Sequence, residues 1–205
     1  TVVSALKIGW NTRRAWWFTA TARTRERFAR TALGSFWLGL SNLLSIAVLS
    51  FVYGTVFKVA DFPAYVVYLG TGLVAWNAIA AAVQSAPNLF RTNAGSIKNT
   101  NIHPIFYTLE EWSFQLQTFL QSFGLVLLAL SFFQPSLLLH LLSAGLLPLV
   151  NLLLFIYWFP LLLCLLGGRY EDFFQLVPIA LQLMFLLTPI LYKRETLGAL
   201  SWTAD

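Results

Sequence analysis

Charge is what this chain has least of. Only 10% of its 205 residues are Asp, Glu, Lys or Arg, while 58% are hydrophobic; soluble domains carry about 25% charge. A water-soluble fold of this length could not hide so much apolar surface, so lipid is the expected solvent for much of it. Cysteine is nearly absent. The single Cys164 excludes a disulfide framework and a cysteine metal site; inside an apolar run it reads as a small packing residue. The two histidines, His103 and His140, lie far apart without Cys or acidic partners at ligand spacing, and read as polar boundary residues. No stretch matches GxxxxGK[ST]. The carboxylate pairs Glu110-Glu111 and Glu171-Asp172 are adjacent in sequence, and adjacent residues on a helix point apart, which disfavours a general acid/base pair. The chain therefore reads as a non-enzyme with no catalytic residues, no metal and no cofactor of its own.

What is there is a set of long runs free of charge. Thr31 to Phe57, Phe62 to Phe90, Trp112 to Gly168 and Phe173 to Tyr192 contain no Asp, Glu, Lys or Arg. The third run is long enough for two helices, and Gln134-Pro135-Ser136 divides it. A spanning helix needs about 20 apolar residues. This predicts an all-α polytopic membrane bundle with five spans, near 36–57, 65–86, 112–133, 138–166 and 173–192.

The net charge of +5 does not point to nucleic acid, because the basic residues cluster beside apolar runs, as membrane topology and contact with anionic lipid require. Ten Lys and Arg fall before the first span and in the loops after the second and fourth; three fall on the other side. By the positive-inside rule the N-terminus is cytoplasmic. Residues 1–30 are expected as an interfacial segment and 31–205 as the transmembrane domain. In LKIGWNTRRAWWF, Trp10, Trp16, Trp17 and Phe18 alternate with Arg13 and Arg14, which suits an amphipathic helix lying at headgroup depth.

Amides are scattered through the spans. Gln117, Thr118, Gln121 and Gly124 share a stripe in span three; Gln175, Gln182 and Pro189 share one in span five; Asn42, Asn77, Gln84 and Asn151 add more. Two readings stand: interhelical hydrogen bonds, each worth about 0.6–2 kcal/mol, or a hydrated path for a hydroxyl-rich solute. Ala75, Ala78, Ala82 and Ala86 form a small-residue face for close helix approach. Trp37, Tyr53, Tyr65 and Trp76 suit interfacial anchoring, with stacking on sugar rings as the alternative. No Asp, Glu, Lys, Arg or His sits deep in a span, His140 lying near an outer end, although ion-coupled transporters usually need such a group there. The bundle reads as a passive conduit, or as a machine driven from outside itself.

Several segments in this order resemble a known family: RFARTALGSFW (27–37), FPAYVVYLGTGLVAW (62–76), NLFRTNAGSIKNTNIHPIFY (88–107) and GGRYEDFFQLVPIALQLMFLLTPILY (167–192). From about Arg23 to Leu200 the chain resembles the permease subunit of type-2 ABC exporters for O-antigen, capsular polysaccharide and teichoic acid. The resemblance implies a homodimer in the inner membrane, paired with a separate ATPase subunit that holds ATP and Mg. Its substrate would be a polysaccharide on a polyprenyl diphosphate lipid, moved from the cytoplasm outward. It implies an ATPase-coupling loop at Asn93, Ala94, Gly95, Ser96, Ile97 and Lys98, and a second cytoplasmic contact at Arg169, Tyr170, Glu171 and Asp172. Short re-entrant helices would follow Thr188-Pro189, and a sixth span is expected beyond the five found. The candidate path residues are Gln117, Gln121, Gln175, Gln182, Trp37, Tyr53 and Trp76. A permease for a drug or small lipid, and a membrane-embedded enzyme of polyprenyl-lipid glycan synthesis, remain alternatives.

Overall fold

The computed structural model describes residues 2–29, 31, 34, 36–56, 58–100 and 102–191. The chain ends of the expected first and fifth spans, Phe57 and Tyr192, lie outside the described residues. So do Arg30, Lys193, Arg194 and the stretch in which exit-side helices and a further span are expected.

Every regular element among the described residues is helical. Two helices come first, α1 (Val2–Asn11) and α2 (Arg13–Phe28), followed by α3 (Phe36–Val56) and α4 (Phe62–Ser85). A 3₁₀ turn at Ala86–Asn88 leads into two short helices, α5 (Leu89–Thr92) and α6 (Ala94–Asn99). Then come α7 (Ile105–Ser131), α8 (Leu137–His140), a π-helical turn at Leu141–Gly145, α9 (Leu146–Gly167) and α10 (Phe173–Leu187). Four stretches are long and apolar enough to cross a membrane: Phe36–Val56, Phe62–Thr92, Ile105–Ser131 and Leu137–Gly167.

Local chemistry sets the ends. The Asp61 carboxylate accepts from the Ala64 amide (3.1 Å), and Pro63 occupies the first turn of α4, where its missing N–H costs nothing. Pro87 tightens the far end of the same helix into the 3₁₀ turn. The third span begins at Ile105, earlier than the expected 112, because α7 carries Glu110 and Glu111 within its first turns. The fifth expected span is shorter than its charge-free run. α10 has 15 residues and ends at Leu187, and Thr188 is extended (φ −78°, ψ 132°), since a residue ahead of proline, here Pro189, is pushed out of the helical region. At 1.5 Å per residue α10 is about 22 Å long, less than a hydrocarbon core of about 30 Å.

α7 is the hub, packed by α2, α3, α4 and α9. One core cluster joins α3, α4 and α7 through Ile46, Tyr65, Leu69, Val74, Phe119, Val126 and Leu130. A second joins the end of α4 to α9 and α10 through Val83, Ala86, Leu89, Leu163, Cys164 and Val177. In lipid little hydrophobic force drives helix to helix, so small residues and polar bonds matter more. Of the expected small-residue face, Ala82 and Ala86 are buried and Ala75 and Ala78 half-buried. Cys164 is buried without a disulfide partner.

At the end of the bundle opposite α1 and α2, two tyrosines of α4 hold the segment after α10. Tyr65 donates to the Leu191 carbonyl (2.6 Å) and Tyr68 to the Pro189 carbonyl; Ile190 and Leu191 are buried there. Tyr65→Phe removes one of the two straps and leaves a buried carbonyl without its donor. It is expected to cost about 1–2 kcal/mol and to speed amide hydrogen exchange at 188–191 relative to α10. Unchanged exchange would mean that the Tyr65 bond does not hold the segment.

Candidate functional site

At the end of the bundle shared by α1, α2 and α6, the two segments expected to meet a partner are neighbours. Asn93 anchors the start of α6 by donating from Nδ2 to the Leu89 carbonyl (2.9 Å). Gly95, Ser96 and Lys98 are exposed and Ile97 is half-buried. The turn Arg169–Asp172 is exposed throughout. Arg91, two residues before the 93–98 loop, forms an exposed ion pair with Glu171 at 3.4 Å and lies 5.4 Å from the Phe174 ring centroid. Arg169 sits 5.6 Å from the Tyr170 ring. Beside α6, a cleft of about 720 Å³ is bounded by Ile8, Thr12, Ile97, Ile102, His103 and Phe106.

The first helices are tied to the bundle by specific bonds. Trp16 donates from Nε1 to the Gly9 carbonyl (2.9 Å), which fixes the α1–α2 bend. Arg23 meets Glu111 of α7 at 2.6 Å, and its guanidinium lies 4.3 Å from the Phe114 ring centroid. The other Glu111 oxygen accepts from Gln115 (2.9 Å). Next to this carboxylate is a cavity of only about 20 Å³ between Thr108, Gln115, Tyr157 and Pro160. That holds one water and no substrate.

The expected path residues do not converge. Gln117 turns toward α2, donating to Thr21 Oγ1 (3.1 Å) and accepting from Thr24 Oγ1 (3.5 Å). Gln121, one turn on, faces outward beside Phe36, Leu125 and Leu128. Gln175 and Gln182 are exposed on α10. Trp37 is exposed, Tyr53 packs against the first core cluster, and Trp76 is tilted against Phe185 of α10 at 5.7 Å.

A polar chamber lies elsewhere, between α3, α4 and α7. Asn77 donates from Nδ2 to Asn42 Oδ1 (2.7 Å), and Asn42 donates in turn to Ser122 Oγ. Ser41, Gln115 and Thr118 add polar atoms and Arg27 adds one cation around a space of about 210 Å³. Asn42, Asn77 and Thr118 were visible as isolated membrane polar residues. Ser41, Ser122, Gln115 and Arg27 were missed, because no spacing within one helix signals a group assembled from three. Among the described residues, no three His, Cys, Asp or Glu side chains come together as a metal set would. No family model and no curated protein matches the chain.

Proposed function

We propose that the chain is the transmembrane subunit of an ATP-driven exporter, moving a lipid-linked polysaccharide from the cytoplasm across the inner membrane as a homodimer with a separate ATPase. The observation that carries this reading is that the 93–98 loop and the 169–172 turn lie at one end of the bundle, where Arg91, just before the loop, pairs with Glu171. Among the described residues no Asp, Glu, Lys or Arg lies in the central turns of the four candidate spans, whereas ion-coupled transporters usually carry one there. On this reading work enters through these two loops, which lie side by side at one end of the bundle. The N-terminal pair α1–α2 lies at the cytoplasmic interface, where exposed Trp10, Trp17 and Phe18 meet the headgroup region. The fifth crossing is completed by α10 with the segment that follows it. Outward-facing Gln175 and Gln182 on α10 make no side-chain hydrogen bond among the described residues, which suits a face turned to a hydrated path between protomers.

The test is a single residue. A Cβ at Gly95 meets nothing within 4 Å, so Gly95→Asp leaves the bundle intact. Tagged wild-type chain is expected to co-purify a P-loop ATPase from its native membrane, and Gly95→Asp to lose it at equal expression. Retention of the ATPase and of export in the variant would remove the coupling assignment. The enzyme alternative gains no support from the 20 Å³ cavity at Glu111.

A further inference from the structure

The chamber between α3, α4 and α7 asks for an occupant. Asn42 is six residues past the first residue of α3, about 9 Å along the axis, and Arg27 of α2 also lines the space, so the chamber lies toward the α2 end of the bundle. Polar groups there are commonly helix glue. Glue needs no space, whereas this group surrounds about 210 Å³; one buried water needs only about 10–15 Å³. Ser41 and Ala81, both lining it, are exposed, so the chamber is not sealed.

The unused hydrogen-bonding capacity defines the chemistry. Ser41 and Thr118 spend their hydroxyl hydrogens on the Leu38 and Phe114 carbonyls, at 3.0 Å each, and so offer acceptors. Asn77 Oδ1 is a further acceptor, since its amide nitrogen makes the bond to Asn42. The second amide hydrogens of Asn42 and Asn77 and the Ser122 hydroxyl are donors. Arg27 forms no ion pair among the described residues and lies 5.6 Å and 5.9 Å from the Phe28 and Phe114 ring centroids. An anion would meet three acceptors, and a cation would find no carboxylate lining the space. A hydroxyl both donates and accepts, and matches the mixed lining.

We infer that this chamber binds one neutral, hydroxyl-rich group of monosaccharide size, held by Asn42, Asn77 and Ser122 with Thr118 and Ser41 as acceptors. The inference rests on the exporter reading only for the origin of that group, a sugar of the transported glycan. The binding itself is a property of this chain alone.

The experiment uses the full chain in lipid nanodiscs free of glycoside detergent. Saturation-transfer NMR is recorded with D-glucose, D-galactose and D-mannose, with inorganic phosphate as competitor. Transfer to at least one hexose is expected, and phosphate is expected not to displace it. Ala81→Phe, which fills the chamber from an exposed position, is expected to weaken the signal about tenfold in apparent affinity. Asn42→Leu combined with Asn77→Leu is expected to do the same, while Leu147→Ala, exposed on α9 and outside the chamber, leaves it unchanged. No transfer to any hexose, displacement by phosphate, or equal signals in wild type and Ala81→Phe would each overturn the assignment. Hexose binding without a co-purifying ATPase would count against the exporter reading and leave the chamber standing.

Discussion

Gly167→Ala is expected to destabilise the protein by about 1–3 kcal/mol, and Gly167→Leu to yield little folded material. Gly167 is the last residue of α9, where the helix end presses on the 3₁₀ turn after α4. A Cβ there would stand 2.5 Å from the Pro87 carbonyl oxygen and 2.6 Å from its Cα. Both are backbone atoms that cannot swing aside, and the ring fixes the proline's φ. The whole end of α9 must move, and with it the turn that carries Glu171 to Arg91. Gly124 is the internal control. It lies inside α7, and a Cβ there meets nothing within 4 Å, so Gly124→Ala is expected to gain about 0.5–1 kcal/mol from helix propensity alone. Thermal melts in detergent followed by circular dichroism order the three proteins; equal melting of wild type and Gly167→Ala would refute the close approach.

Arg23→Ala is expected to cost about 2–3 kcal/mol, below the 3–5 kcal/mol typical of a fully buried pair, because the Arg23 side chain is 46% exposed while that of Glu111 is only 10% exposed. Solvent screens the exposed member, but the stranded carboxylate keeps its burial penalty. Glu111→Gln retains the bond to Gln115 as an amide contact and is expected to cost less. Replacing both, Arg23→Leu with Glu111→Leu, is expected to restore most of the loss, since an apolar pair avoids desolvation. A double-mutant cycle read by chemical denaturation separates the coupling from the packing of Arg23 on Phe114. Additive single losses would show that the pair is not a tether.

The long helices were readable because charge is so costly in lipid. The 36–57 and 138–166 runs became helices at Phe36–Val56 and, with a π-helical turn, at Leu137–Gly167. α7 starts seven residues before its expected 112 because Glu110 and Glu111 looked like a boundary; Arg23, 88 positions away, neutralises one of them inside the helix. The fifth run was read as one span to Tyr192, although Pro189 ends α10 at Leu187. The polar sites were less legible. Helical spacing placed Gln117 and Gln121 on one stripe, but it could not say that α2 covers the first while the second stays exposed. The Asn42–Asn77–Ser122 chain depends on how three helices are rotated about their axes, which composition along any one of them does not encode.

Consecutive helices are of very unequal length here. Leu137–Gly167 has 31 residues and would reach about 46 Å if straight, whereas the 15 residues of Phe173–Leu187 reach about 22 Å. The two pack against each other. The longer exceeds a hydrocarbon core of about 30 Å and must lean or bend to fit within one, a hydrophobic mismatch that makes acyl-chain length a determinant of how this helix sits.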